Sequence, residues 1–95
     1  MANFEIYNLS YGKSEQNNQI VVRGELANHS GRSYSAVALR VVLFAKNISV
    51  ASAVIVINNI PNDGVRAFEK NLEELEYDKV AKNITRYETL IESAY

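Results

Sequence analysis

Ninety-five residues, of which 47% are apolar and 22% charged, with a formal net charge of −1, describe one ordinary globular domain over 1–95. That balance, with Lys and Arg scattered singly, excludes a dedicated surface for nucleic acid or anionic membrane, because such surfaces concentrate basic residues against phosphates. The absence of cysteine excludes a disulfide framework, a thiolate nucleophile and a Cys-ligated zinc site.

No run reaches the roughly eighteen apolar residues a spanning helix needs, so this segment is not expected to insert directly into a membrane. Met1 to Ser10 also lacks the basic-then-apolar order of a signal peptide. The chain is equally compatible with a piece of a longer protein carrying its anchor or export signal elsewhere, so composition assigns no compartment.

Phe4-Glu5-Ile6-Tyr7-Asn8-Leu9 opens with an apolar/polar alternation that predicts a first strand, and the polar run Ser10 to Asn18 predicts a loop. From Gln19 to Asn28 the period is two: Ile20, Val22, Gly24 and Leu26 share one side, and Val21, Arg23, Glu25 and Ala27 share the other, more polar side. His29-Ser30-Gly31-Arg32-Ser33 reads as a turn.

Ser35 to Ala45 is the most regular strand. Val37, Leu39, Val41 and Leu43 lie on one face, and Ala36, Ala38, Arg40, Val42 and Phe44 on the other. A strand apolar on both faces belongs in the middle of its sheet. Lys46-Asn47 is the hairpin link to a fourth strand, Ile48 to Asn58, rich in Val and Ile but without a readable register. Pro61-Asn62-Asp63-Gly64 then closes that strand with turn chemistry, Gly64 being the residue expected to take a positive φ.

After Val65 two readings compete. Phe68, Leu72, Leu75, Ile84, Tyr87, Ile91 and Ala94 recur at helical spacing and would suit a helical hairpin. Thr85, Tyr87, Thr89, Ile91 and Ser93 instead form a strand-like face rich in β-favouring residues. The preferred reading is a strand over 65–72, a helical turn over 73–81 built on the acidic run Glu73-Glu74-Leu75-Glu76, and a last strand from about Ile84. Six to seven short strands with turns about every ten residues define an all-β fold, an immunoglobulin-like antiparallel β-sandwich.

Gly24-Glu25-Leu26-Ala27-Asn28-His29-Ser30, Tyr34, Val37 to Phe44, Gly64 and Phe68, in that order, resemble the FxLYD family of small prokaryotic immunoglobulin-like domains. Over the signature stretch Val41-Val42-Leu43-Phe44-Ala45, Leu43 matches and Phe44 replaces Tyr, while Val41 and Ala45 stand where the family has Phe and Asp. The resemblance covers about residues 20–68. It implies structural roles: Gly24 leaves room for a neighbouring side chain, Asn28 holds its turn by bonding backbone, and Gly64 takes the turn. It further implies an extracytoplasmic or envelope-associated module, and it carries over no catalytic residue.

Candidate chemistry is sparse. His29 is the sole imidazole and sits in a polar turn without partners at useful spacing. Glu69, Glu73, Glu74, Glu76 and Asp78 lack the regular spacing and glycine of a calcium loop and read as a solvated acidic face, and Asp63 reads as a turn residue. Four Asn-x-Ser/Thr sequons, at Asn8, Asn28, Asn47 and Asn83, read as coincidence in an Asn-rich chain. Six tyrosines (Tyr7, Tyr11, Tyr34, Tyr77, Tyr87 and Tyr95) could line a sugar or peptide surface, but rim positions on strands explain them as well.

No catalytic residue, cofactor site or metal site is therefore assigned. The strongest lead is the second face of the third strand, Ala36, Ala38, Val42 and Phe44, with Ala51 to Ile57 beside it, where apolar surface is left for a protein partner or a homodimer. The expected function is a non-enzymatic interaction or accessory domain acting through a sheet face or an edge strand. The alternative is a small-ligand or calcium-binding module using loop carboxylates and tyrosines, and a hydrolase built on Asp63 or the acidic run comes third.

Overall fold

The computed structural model describes residues 3–95, and of residues 73–75 the backbone only. Six strands are formed: β1 (Phe4–Lys13), β2 (Gln19–Asn28), β3 (Tyr34–Ala45), β4 (Ile48–Ile60), β5 (Val65–Glu76) and β6 (Arg86–Ala94). They make two three-stranded antiparallel sheets, in the orders β1-β2-β5 and β4-β3-β6. β2 and β3 follow one another in sequence yet lie in opposite sheets, β2 pairs with β5, and β3 pairs with β6. This is an immunoglobulin-like connection pattern, reached with six strands.

The period-two faces read from β2 and β3 are the two walls of the core. Ile20, Val22, Leu26, Val37, Leu39, Val41 and Leu43 are all buried and join one cluster with Ile55, Ile57, Ile60, Phe68 and Ile84. Each such side chain contributes on the order of 1.5–3 kcal/mol by leaving water. β3 is the central strand of its sheet, as its two apolar faces require.

Gly24 lies in the same wall because only hydrogen fits there. A Cβ would meet Phe68 Cζ at 2.7 Å and Leu9 Cδ1 at 3.3 Å, so the ring of Phe68 occupies the space a side chain would take.

Three local expectations need correction. β1 does not stop at Leu9 but continues through Ser10 to Lys13. Its alternation breaks at a bulge, where Asn8 adopts φ 53° and the register shifts between Tyr7 and Ser10. One extra residue reverses the parity, so Phe4 and Ile6 before the bulge and Leu9 and Tyr11 after it all pack on the core.

The second correction concerns the 61–64 turn. Gly64 does not take the positive φ; Asp63 does, at 61°. Gly64 N donates to Pro61 O at 2.9 Å, and a Cβ on Gly64 would stand 2.6 Å from Pro61 Cγ. The glycine is needed for close approach to the proline ring.

The third lies in the C-terminal third. The acidic run at 73–76 is the end of β5, not a helical turn, and β4 likewise runs on to Ile60. Register slips between Ile20↔Leu72 and Gln19↔Glu76, so the run is an irregular edge segment. The helical turn expected over 73–81 forms in the second part of that range, as α1 (Tyr77–Val80) followed by a 3-10 turn (Ala81–Asn83). The strand-like reading of the last segment prevails over the helical hairpin, with one change: a register shift between Ala38 and Leu39 places Ser93 opposite Ala38 on the outer face and packs Ala94 on the core.

Asn28 ties one end of the sandwich together. Its side chain is fully buried. The amide nitrogen donates to Arg32 O (2.7 Å), Ile60 O (3.3 Å) and Pro61 O (3.2 Å). Oδ1 accepts from Ser30 N (3.0 Å) and Ser30 Oγ (2.6 Å). The β2–β3 loop and the β4–β5 turn are thus fixed by one residue.

Candidate interaction surface

The outer faces of the two sheets differ in kind. On β1-β2-β5 the outward row is largely polar, with Val65 exposed at its end, and several of its side chains bond one another. Arg23 Nε bonds Glu69 Oε1 at 2.5 Å, Asn8 Nδ2 donates to Glu25 Oε1 at 2.6 Å, and the Tyr7 hydroxyl donates to Glu5 Oε2 at 2.5 Å. These contacts raise the Arg23 pKa through the bond to Glu69 and the Tyr7 pKa through the bond to Glu5. Such a face is satisfied in water.

On β4-β3-β6 the outward positions follow from the register. Ala38 lies between Val56 and Ser93, Arg40 between Val54 and Leu90, Val42 between Ser52 and Glu88, and Phe44 between Ser49 and Arg86. Val56 and Leu90 are 55% and 59% exposed, and Val54 is exposed beside them. Val54 and Val56 are neighbours on one row of β4, and Leu90 lies across Arg40 from them. Aliphatic side chains gathered on one face mark a contact surface more strongly than the same residues scattered singly.

Of the four residues singled out from sequence, Ala38, Val42 and Phe44 lie half-buried on this face. Ala36 is buried, and its backbone N–H donates to Tyr95 O at 2.9 Å, so it adds nothing to an exposed patch. The guanidinium of Arg86 covers the Phe44 ring, 3.9 Å from its centroid, while also pairing with Glu88. The exposed apolar area is therefore centred on Val54, Val56 and Leu90, flanked by Ala38 and Val42. Sequence reasoning came near the first two through the 51–57 run but could not say which alternate residues faced out, and it missed Leu90.

One polar device crosses the patch. Arg40 bonds Glu92 through Nε, and its Nη1 donates to Ser52 Oγ at 3.2 Å, so it links β6 to β4 across β3. Its aliphatic stem lies among the exposed apolar residues.

The other candidate residues do not converge. Glu69 is engaged by Arg23, and Glu76 accepts from Lys79 Nζ at 2.9 Å, a contact that raises the Lys79 pKa. The Glu73 and Glu74 carboxylates lie outside the described side chains. Among the described residues, no three His, Asp or Glu side chains gather as a metal site would require. His29 stands 3.9 Å from both Glu5 and Asp63, all three at the exposed surface.

The tyrosines are spread over the molecule. Tyr7 is on the polar face, Tyr11 donates to Ile84 O at 3.3 Å, Tyr34 packs on Phe4 with ring centroids 5.5 Å apart, and Tyr95 is exposed at the end of the chain. Among the sequons, Asn28 has its amide nitrogen fully engaged inside the fold. No protein-family profile, curated protein or solved structure matches this chain.

Proposed function

We propose that this domain is a non-enzymatic interaction module that binds protein through the outer face of its β4-β3-β6 sheet. The observation that carries the reading is the contrast between the two outer faces: one bonds Arg23, Glu25, Glu5 and Tyr7 within itself and exposes Val65 at its end, and the other exposes Val54 and Val56 next to one another with Leu90 across Arg40 from them. A sheet face of this composition gains free energy when it is covered and needs no cofactor. The order Gly24, Asn28, Gly64, Phe68, with Phe68 over Gly24 and Asn28 holding the turns, supports placing the domain among FxLYD-like modules. An extracytoplasmic or envelope-associated setting is part of the same proposal.

The ligand-binding alternative draws less support, because among the described residues no three His, Asp or Glu side chains gather as a metal site requires and the tyrosines are spread over the molecule. The test is light scattering from micromolar to millimolar concentration, comparing wild type with a Val54→Ser/Val56→Ser/Leu90→Ser variant. Association that the triple variant loses while keeping its thermal transition is expected. A strict monomer throughout that range together with no protein partner in a pull-down, or association indifferent to the three changes, contradicts the reading.

A further inference from the structure

The sandwich has four edge strands, and three are guarded against pairing. β1 carries Glu5, Lys13 and a bulge; β5 carries Arg66, Glu69, Lys70 and the acidic run; β6 carries Arg86, Glu88, Glu92 and a register shift. Charges and bulges of this kind are how sheet edges avoid joining other sheets. β4 has neither charge nor proline over thirteen residues, its bulge at Val50 and its left-handed Asn59 flank the 52–58 segment without placing a charge in it, and among the described strands it pairs only with β3.

β4 is also complementary to itself. Its outward row over 52–58 reads Ser52, Val54, Val56, Asn58: polar, apolar, apolar, polar, with Ile55 at the centre. Residues opposite one another in antiparallel strands point to the same face, so a two-fold axis normal to the sheet must pass through a residue. Placed at Ile55, it sets Val54 against Val56 of the second copy and Ser52 against Asn58. On the inner row it sets Ala53 against Ile57, small against large. β6 offers no equivalent, since an axis at Leu90 would set Glu88 against Glu92.

We infer that two copies of this chain pair β4 to β4 in antiparallel fashion about a two-fold axis at Ile55, joining their β4-β3-β6 sheets into one six-stranded sheet. The partner is a second copy because no foreign charge or motif is called for and the row answers itself. The contact is isologous and closes at the dimer. The inference rests on the proposed interaction face and extends it: the Val54 and Val56 pairs of both copies become one continuous apolar strip.

The chain has no cysteine, so introduced thiols report alone. Val54→Cys and Val56→Cys are made separately at these exposed positions, mixed, and oxidised. In the inferred register 54 faces 56, within the separation a disulfide spans, whereas 54 to 54 is offset by two residues and lies about 8 Å apart. The mixed 54–56 species is expected to dominate both self-coupled species.

Val56→Lys, at a position that leaves the core untouched, is expected to weaken self-association about tenfold, as loss of two cross-strand pairs would. A dimer that resists Val56→Lys and couples 54 to 54 as readily as 54 to 56 overturns the β4 pairing while leaving the sheet face as an interaction surface. A monomer at millimolar concentration also overturns the β4 pairing, and the proposed face falls with it only if no other protein is bound there.

Discussion

Replacing Asn28 with Ala removes the joint between two turns, and its effect can be worked out bond by bond. Two amide hydrogens serve three carbonyls, so two donated bonds are lost. Oδ1 also accepts from Ser30 N and Ser30 Oγ, but that hydroxyl lies 3.1 Å from Arg32 O and keeps a partner there. Three bonds then go without replacement in a fully buried site, at about 1 kcal/mol each, giving a destabilisation of about 3 kcal/mol. For a domain whose total stability is about 5–15 kcal/mol this is a large fraction.

Urea unfolding followed by circular dichroism measures it. With a slope near 1 kcal/mol per molar, the midpoint should fall by about 3 M. Asn28→Asp is the companion variant: a carboxylate has no N–H to give and brings a negative charge toward three carbonyl oxygens, so at pH 7 it should be at least as damaging as Ala. A midpoint shift below about 0.5 M for Asn28→Ala would refute the reasoning, because the carbonyls would then have found other donors.

Gly24→Ala should destabilise by about 1–3 kcal/mol because its methyl would sit inside the Phe68 ring, and adding Phe68→Leu should recover part of that loss in the same urea assay. Leu39→Ala, in the fully buried wall of β3, should cost about 2–5 kcal/mol by calorimetry. The Tyr7 phenol is held above its usual pKa of 10.0, first by its bond to Glu5, then by desolvation and by the nearby carboxylate charge. Its folded value exceeds the unfolded one, so any stability it lends is present below pH 10 and fades as pH rises through the folded value. An NMR titration of the tyrosine Cζ resonances should show Tyr7 ionising above the ordinary phenol range, and Glu5→Gln should bring it down.

The architecture was legible where the alternation was unbroken. Ile20 to Leu26 and Val37 to Leu43 state both walls of the core, and the two apolar faces of β3 state its central place. Reading failed where a strand changes parity. Asn8 in β1 and the register shift in β6 each insert a residue that pairs with nothing, which in a linear pattern looks like the end of a strand or a different period. The acidic run misled for a related reason: helix propensity favours it, but the pairing of Leu72 with Ile20 and of Glu76 with Gln19 carries the backbone through as an edge.

The interaction surface was half legible. Ala38, Val42 and Phe44 could be placed on the second face of β3 because that strand is regular. Which of the 51–57 residues face outward depends on the extra residue between Ala51 and Ser49 in the pairing with β3, and the place of Leu90 depends on β6 lying beside Arg40. Neither is stated by local sequence. That Arg86 shields Phe44 is likewise a product of strand pairing, since forty-two positions separate them in the chain.

Amide spectra recorded at rising protein concentration address the outer face of β4-β3-β6 most directly. Progressive shifts should gather on Ala38, Val42, Val54, Val56 and Leu90, while Glu5, Glu25 and Ala67 on the opposite sheet hold still. Shifts centred on that opposite sheet, or spectra unchanged up to millimolar protein, would contradict the assignment of this face as the one that binds.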